Sequence, residues 1–525
     1  MPSPIWEFAV SHRAHQCLSY RAEECCASTE NPSWCAGALV CEAAVPYRPR
    51  DPEANQIYGV VADHLETFLA RQRNRDRPVP GFVEREMRSF LDCGVLARGF
   101  LRVHCDTCGQ DRVVAFSCKG RGFCGSCGGR RMADTAAHLV DRVLPRVPVR
   151  QWVLSLPVDL RYRLAYDATL VRDVLQIFVR SVFASLRRRA RRQRGIRNGK
   201  CGGVTFVQRF GGALNVNVHF HTLVLDGVYA EDSSGRVRFH RLFPPDDAEV
   251  AKVTDRIVRR ITRLLERRGL GTQADPEEAD PLRRDQPLLA DLCGASVSGR
   301  IATGARAGNR VSTIGGGVES ETLPPPKGPR CATSSGVSLH ANVCIPARDR
   351  RRLELLCRYA ARPAIATERL SLLSDGRVMY ELRHRWRDGT THVVFERLEL
   401  LEKLAALVPP PRFNLVRYNG VLAPAARRRA EVVQSDAERP HGCESCRRAG
   451  YRSARPRNYK WAELLKRVFE VDVLKCDRCG GRMRILAELH SPDAIRSILD
   501  CLGLPSRAPP IAPAREEESD YFQWS

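Results

Sequence analysis

Polar and apolar side chains alternate along residues 215–225. One parity is apolar and the other is polar: Val216, Val218, Phe220 and Val224 against Asn215, Asn217, His219 and His221. This period of two is typical of a half-buried strand. We predict that the strand pairs with 204–210 in a hairpin around Gly211-Gly212, and that the two imidazoles lie about 7 Å apart on its polar face.

Other stretches repeat their apolar residues at spacings of three and four, which predicts helices. The predicted helices are 57–69, 83–96, 131–143, 170–194, 246–268, 348–361, 397–407 and 461–469. The predicted strands are 151–156, 336–345 and 483–489, with a second hairpin at 378–395. Residues 270–335 are rich in Gly, Pro and Ser and predict a linker or long loop.

Composition adds a strong positive charge. The 525 residues include 84 Lys plus Arg against 60 Asp plus Glu, a net charge of +24. Such a surplus indicates a polyanionic partner, most often nucleic acid. The run around Arg187, Arg188 and Arg191 is a candidate contact surface. No apolar run approaches the roughly 20 residues of a membrane helix, so we expect a cytoplasmic protein that does not contact membranes.

Two Cys-x-x-Cys pairs lie close together in the first third of the chain. Cys105 and Cys108 are followed by Cys124 and Cys127, a spacing typical of a ribbon that holds Zn²⁺ with four thiolates. Four thiolates complete the coordination, so this zinc would be structural. Unrelated core thiols are the alternative.

A second set of cysteines lies near the end of the chain: Cys443, Cys446, Cys476 and Cys479. It is a candidate for a second zinc, but its two halves need not share one ion.

His219 and His221 are candidate ligands for a catalytic divalent metal, with Gln208 as a third ligand if the hairpin register places it on the same face. Two imidazoles and an amide oxygen leave open positions that suit Mg²⁺ or Mn²⁺ bound together with a phosphate oxygen. The alternative is that both histidines are satisfied residues of the core.

Tyr359 is the candidate nucleophile. It lies near the end of the 348–361 helix, which Pro363 terminates, and Arg352, Arg358 and Arg362 flank it. A phenol surrounded by guanidinium groups is placed to approach phosphate. The alternative is a tyrosine that packs at a helix end.

These motifs resemble the HUH endonucleases, and more closely the rolling-circle transposases of the insertion sequence 91 family with its ISCR-like branch. The resemblance lies in His219-Phe220-His221, in Cys357-Arg358-Tyr359-Ala360-Ala361-Arg362-Pro363, in Arg417-Tyr418-Asn419-Gly420 and in Cys476 to Gly481. The similar stretches follow one another in order over about residues 47–510.

The resemblance implies an α+β HUH nuclease core, with a central, mainly antiparallel sheet and flanking helices. A helical zinc-ribbon domain would precede the core and a small zinc-ribbon-like module would follow it. The implied segments are 1–45 (unassigned extension), 46–145 (zinc-binding domain), 146–269 and 336–425 (the two parts of the core), 270–335 and 426–440 (linkers), 441–504 (C-terminal Cys-x-x-Cys module) and 505–525 (disordered tail).

The resemblance also implies a chemistry. Tyr359 would attack a phosphate of single-stranded DNA, leaving a 5′-phosphotyrosine and a free 3′-hydroxyl beside a metal on His219 and His221. No nucleoside triphosphate is expected, since the chain has no Gly-x-x-x-x-Gly-Lys-Ser/Thr loop. Two-tyrosine members carry another tyrosine one turn earlier, where this chain has Leu355, so the single-tyrosine type is indicated.

Two other functions stay open from the sequence. One is a non-catalytic zinc-ribbon regulator that binds DNA. The other is a plasmid relaxase or replication initiator with the same chemistry.

Overall fold

A computed structural model describes residues 51–270, 280–316, 328–386, 388–433, 460–469 and 472–515. Its helices are α1 (Gln56–Asn74), α2 (Gly81–Asp92), α3 (Gly125–Arg142), α4 (Val158–Tyr166), α5 (Ala168–Arg194), α6 (Asp247–Arg267), α7 (Pro281–Asp285), α8 (Pro287–Val297), α9 (Arg350–Ala360), α10 (Arg397–Leu407), α11 (Arg429–Val432), α12 (Trp461–Phe469) and α13 (Pro492–Cys501). Across these described ranges, none of the helices has the length and apolar character needed to cross a membrane.

The strands are β1 (Phe100–Cys105), β2 (Asp111–Ala115), β3 (Val149–Ser155), β4 (Gly202–Phe210), β5 (Val216–Leu225), β6 (Gly227–Glu231), β7 (Val237–Arg241), β8 (Ser312–Ile314), β9 (Cys331–Ser334), β10 (Val337–His340), β11 (Cys344–Ile345), β12 (Leu370–Leu372), β13 (Val378–Glu381), β14 (His392–Phe395), β15 (Val416–Gly420) and β16 (Met483–Leu489).

The largest sheet has the strand order β15-β4-β5-β3-β10-β9, with β11 pairing to β3. Each described pairing within it is antiparallel. The alternation predicted on β5 is present, since Val216, Val218 and Phe220 are fully buried. The expected α+β class, an antiparallel sheet flanked by helices, is therefore confirmed, and the histidine strand is central in the sheet.

Helices α5 and α9 cover opposite faces of this sheet. The ring of Phe178 on α5 stacks on that of Phe220, with 6.3 Å between centroids. On the other face, Leu353 and Leu356 of α9 join a core cluster with residues of β4 and β5. Neighbouring residues of a strand point to opposite faces, so α9 lies on the face that carries His219 and His221.

The expectation of a linker or loop over residues 270–335 is wrong for their described part. Helix α8 buries Leu288, Leu289 and Leu292, and the Ser296 hydroxyl accepts the Val216 N–H at 2.9 Å. Pro287 sits in the first turn of α8, where a missing N–H costs nothing. The high proline content therefore marks helix starts here as well as loops.

The end of that segment supplies strands to two sheets. Strand β8 completes a small sheet of order β12-β13-β14-β8, while β9 forms the outer strand of the largest sheet. The small sheet contains the hairpin predicted at 378–395, and it lies next to α9 in sequence.

A third sheet joins residues 100–115 to residues 483–489, far apart in sequence. Its order is β16-β1-β2, with Cys105 of β1 opposite Met483 of β16. The expectation of a separate C-terminal module at 441–504 is therefore wrong for residues 483–489, which form one sheet with the N-terminal zinc domain. Residues 434–459, with Cys443 and Cys446, lie outside the described residues, as do 1–45.

The described part of the tail is also placed against the N-terminal domain. The backbone N–H of Ala512 donates to the carbonyl of Ala62 at 3.0 Å, and that of Arg515 donates to the Thr67 hydroxyl at 3.0 Å. Both acceptors belong to α1. The expectation of disorder from 505 onward is wrong as far as Arg515.

Candidate active site

His219 and His221 lie side by side on β5, with 5.0 Å between ring centroids. Gln208 of β4 is directly opposite His219, so its side chain is on the same face. The register therefore meets the condition under which the sequence made Gln208 a candidate third ligand. A bulge between Gln208 and Phe210 shifts the register, and a bulge leaves no mark in a period-2 pattern.

Both imidazoles are held neutral by their surroundings. Burial lowers the pKa of His219 to about 4 and lowers that of His221 well below its usual value. The Nδ1–H of His219 donates to the Asn217 carbonyl at 2.8 Å, which leaves its Nε2 lone pair available. A neutral ring with a free lone pair is the form that binds metals.

The side-chain amide nitrogen of Gln151 donates to Nδ1 of His221 at 2.9 Å. Turning this amide by 180° would place its oxygen there to accept from Nδ1–H, and Nε2 of His221 would then present a lone pair to the site. Gln151 belongs to β3 and was not singled out from the sequence, because no spacing links it to the histidines.

Three polar atoms in this region are buried and have no hydrogen-bond partner among the described residues: Oε1 of Gln208, Oδ1 of Asn217 and Nε2 of His221. Buried acceptors of this kind are rarely left unsatisfied. Imidazole nitrogen together with amide oxygen suits a divalent cation that also binds phosphate, so the donor set fits Mg²⁺ or Mn²⁺.

Tyr359 is brought to this group by the last turn of α9. Its ring centroid lies 5.8 Å from that of His221. The Gln208 amide donates to the carbonyls of Tyr359 and Ala360 at 3.2 and 2.8 Å. One side chain therefore joins the tyrosine helix to the strand next to the histidines.

Two guanidinium groups lie over the tyrosine ring. The Cζ atoms of Arg362 and Arg383 are 4.5 and 5.4 Å from its centroid. Arg362 was predicted from the sequence to contact DNA, whereas Arg383 was not, because it comes from the hairpin of the small sheet. Arg358 instead pairs with Glu354, and Arg352 is exposed.

The other predicted DNA contacts, Arg187, Arg188 and Arg191, lie on α5 and are exposed. Helix α5 packs on the sheet face opposite to Tyr359, and Arg188 also pairs with Glu249 at 3.0 Å. Their role in DNA binding stays a prediction, and it concerns a surface away from the tyrosine.

The cysteines form two groups, and each crosses the pairing predicted from the sequence. The first, here named the inner cluster, contains Cys93, Cys118, Cys124 and Cys127. Cys93 follows α2, whereas Cys124 and Cys127 begin α3. Cys93 lacks a Cys-x-x-Cys partner, so the spacing of the sequence gave no sign of its role.

The second group, here named the bridging cluster, contains Cys105, Cys108, Cys476 and Cys479. Each pair forms a tight turn closed by a glycine with positive φ, Gly109 in one and Gly480 in the other. The predicted ribbon of Cys105, Cys108, Cys124 and Cys127 is thus wrong as a single site. The strand pairing of β1 with β16 brings the distant knuckle to Cys105.

Both clusters have the geometry of a tetrahedral thiolate site. Measured Sγ–Sγ distances are 3.4 to 3.7 Å in the inner cluster and 3.5 to 3.6 Å in the bridging cluster. Four sulfurs around zinc at roughly 2.3 Å lie about 3.8 Å apart. Hydrogen bonds with Cys118 and Cys127 raise the pKa of the Cys124 thiol, and a coordinating metal ion deprotonates such thiols. Both donor sets fit structural Zn²⁺.

Comparison with protein-family models gave two matches. A transposase zinc-binding domain (Zn_Tnp_IS91) matches residues 60–156, and the family "Putative transposase" (Y2_Tnp) matches residues 202–430. Together they cover more than half of the chain. The inner cluster lies within the first match and Tyr359 within the second, whereas Cys476 and Cys479 lie outside both. Searches of curated proteins and of solved structures returned no match.

Proposed function

The chain belongs to the transposases of the insertion sequence 91 family, which act on DNA, and we propose that it cuts and rejoins single-stranded DNA through Tyr359. The reaction is that of a single-tyrosine HUH enzyme in rolling-circle transposition. One observation carries this proposal: the Tyr359 ring lies 5.8 Å from that of His221, beside polar atoms that find no hydrogen-bond partner in the described part of the chain.

In the cutting step, the phenol oxygen of Tyr359 bonds to the phosphorus of a phosphodiester. The bond from phosphorus to the 3′ oxygen breaks, and that oxygen ends with the hydrogen that the phenol gives up. The products are a 5′-phosphotyrosine and a free 3′-hydroxyl. One phosphodiester replaces another, so rejoining can run the same exchange in reverse without a nucleotide cofactor.

His219, His221 and Gln208 are the residues that would hold the divalent cation. Mg²⁺ or Mn²⁺, when bound, polarises the phosphate and offsets the charge that develops on its oxygens. Gln208 also fixes the end of α9 through its two hydrogen bonds, so it sets the distance between the phenol and the histidines. Arg362 lies over the ring and attracts the phosphate toward it.

The zinc ions belong to a different role in this proposal. Structural Zn²⁺ occupies the inner cluster and the bridging cluster, where four thiolates leave no open position for substrate. The catalytic cation is thus distinct from zinc in ligand type and location.

The decisive experiment is covalent trapping. The zinc-loaded full chain is incubated with Mg²⁺ and a labelled single-stranded element end, then resolved in SDS. We expect a labelled adduct with the wild-type chain and none with Tyr359→Phe. Tyr418→Phe, on the edge strand β15 of the same sheet, is the matched control and should form the adduct normally.

Binding of the same DNA without any adduct in the wild-type chain would overturn the proposal and favour a non-catalytic regulator. An adduct that survives Tyr359→Phe would place the nucleophile elsewhere.

A further inference from the structure

A tight hairpin projects from the small sheet beside Tyr359. Beyond β13, the N–H of Leu382 donates to the Thr391 carbonyl at 2.9 Å and that of Trp386 to the Thr390 carbonyl at 2.8 Å. A turn closes between Gly389 and Trp386 at 3.1 Å. We name residues 382–386 the hairpin arm. These bonds fix the direction of the arm relative to the sheet.

The base of the hairpin arm reaches the tyrosine. Arg383 lies over its ring, and the Nε of Arg383 is buried without a hydrogen-bond partner among the described residues. Within the same described part of the chain, neither Arg383 nor Arg362 forms an ion pair with a carboxylate. Burial, with Arg383 and Arg369 nearby, lowers the pKa of Arg362. Converging guanidinium groups without a carboxylate partner form a site for an anion.

The outer end of the hairpin arm exposes an aromatic ring. Trp386 is 42% exposed, and the neighbouring His384 and Arg385 are exposed as well. A single exposed ring is ordinary on a protein surface, and this one is distinguished by its place on the arm whose other end lies over Tyr359. Aromatic rings beside arginines are the usual platform for unpaired bases, because every base has a π-face and every phosphate a charge.

The two ends of the hairpin arm are close enough to act on one strand. Three residues of extended chain span at most about 10 Å. A strand whose phosphate lies at Arg383 would therefore present its neighbouring bases near Trp386. A duplex, with its bases stacked inside, could not use the ring in this way.

We propose that the hairpin arm receives single-stranded DNA at the active site. Arg383 and Arg362 hold the phosphate that faces Tyr359, and Trp386 stacks on an unpaired base next to it. The identity of that phosphate as the one cut rests on the proposed function, whereas single-strand binding by the arm does not.

The test measures affinity in the zinc-loaded Tyr359→Phe chain, which cannot form an adduct. The probes are fluorescein-labelled oligothymidylate and a duplex of equal length, followed by anisotropy over a series of salt concentrations. Trp386→Ala should weaken single-strand binding about fivefold to a hundredfold, leave the salt dependence unchanged and barely affect the duplex. Trp386→Phe should restore most of the affinity.

Arg383→Gln should act differently. Removing one phosphate contact lowers the slope of log affinity against log salt by about 0.7 for single strands. The charge-matched control is Arg377→Gln, whose side chain pairs with Asp375 in the turn before β13, and it should keep the slope. Phe243→Ala removes an aromatic ring that is 67% exposed beside α5, and it should keep the affinity.

The proposal that the hairpin arm binds single-stranded DNA would be overturned if Trp386→Ala and Arg383→Gln both kept the single-strand affinity. It would also be overturned if both variants lost affinity equally for single strand and duplex. A different outcome would contradict the proposed function alone. In that outcome the wild-type chain forms no adduct, while the arm variants still lose single-strand affinity. If the wild-type chain forms the adduct but the arm variants keep their affinity, only the proposed role of the hairpin arm is contradicted.

Discussion

The inner cluster and the bridging cluster each contain four thiols, but they join different parts of the chain. The inner cluster draws its ligands from residues 93–127, and three of its four cysteines are buried. In the bridging cluster, Sγ–Sγ contacts join residues 374 and 368 positions apart in sequence, and Cys479 is exposed. The inner cluster therefore joins residues within one domain, and the bridging cluster joins that domain to residues 476–479.

Each cluster is connected to the tyrosine helix α9 through different contacts, here named the inner route and the bridging route. The inner cluster fixes the start of α3, whose Gly128 lies against Pro363 directly after α9. The bridging cluster holds the C-terminal segment, whose helix α12 reaches Glu354 of α9 through Arg467 at 2.7 Å. We expect the inner route to matter more, since a glycine backbone there lies directly against the rigid ring of a proline.

The largest effect is expected from Cys124→Ser. It should remove one zinc per chain and destabilise the fold by at least about 3 kcal/mol, because structural zinc sites contribute roughly 10–16 kcal/mol of binding free energy in small modules. Adduct formation should fall with it. Zinc content by mass spectrometry and denaturant unfolding measure both. A variant that loses zinc yet unfolds like the parent would contradict a structural inner cluster.

Cys476→Ser should also remove one zinc but leave the inner cluster and the large sheet intact. We expect the C-terminal segment to become protease-sensitive, with a smaller loss of adduct than in Cys124→Ser. Cys501→Ser is the control, since Cys501 is an exposed thiol of the same segment outside both clusters. Equal losses in the two cluster variants would remove the distinction between the clusters.

The clusters also mark where sequence reasoning works. The local pattern of residue types predicted α10 and β16 with their observed bounds, although most residues of β16 are exposed. It also predicted each Cys-x-x-Cys knuckle as a zinc-binding unit. Which knuckles share an ion depends on the pairing of β1 with β16, and nothing near Cys105 in sequence encodes a strand that lies hundreds of residues away.

The candidate active site likewise contains residues that the sequence predicts and residues that only the fold brings together. His219 and His221 share a strand, so their proximity follows from period-2 geometry. The sequence also pointed to Tyr359, through its helix end and flanking arginines. Gln151 comes from β3 and Arg383 from the segment after β13, and only the sheet order and the small sheet place them at the site.

Gly128→Ala tests the inner route. A Cβ at this position would lie 2.6 Å from Cβ of Pro363, so the end of α9 must shift. We expect a net loss of about 1–2 kcal/mol in the free energy of unfolding, even though alanine favours a helix over glycine by roughly 1 kcal/mol. Gly125→Ala is the matched control, because its nearest neighbour, Cγ2 of Thr367, would be 3.8 Å away.

For these two glycine variants, the rate of adduct formation distinguishes a shift in the position of Tyr359 from a loss of fold stability. Gly128→Ala should slow adduct formation at temperatures where the protein stays folded, whereas Gly125→Ala should keep the parental rate. The inner route would be refuted by equal rates in the two variants.

The smallest effect concerns the bridging route. Glu354 accepts hydrogen bonds from Arg467 and Arg358, and although burial opposes ionisation, these partners lower its pKa. The ion pairs thus contribute stability above the unfolded pKa of about 4.3, and that stability is lost as pH falls through the lower folded value.

Glu354→Gln should lower the free energy of unfolding by about 1 kcal/mol at pH 7 and make stability less dependent on pH at the acid end. Thermal unfolding between pH 3 and pH 7 measures it, with Glu463→Gln, an exposed residue of α12, as control. If Glu354→Gln lost stability at low pH in the same way as the parent, α12 would lie against α9 without stabilising it.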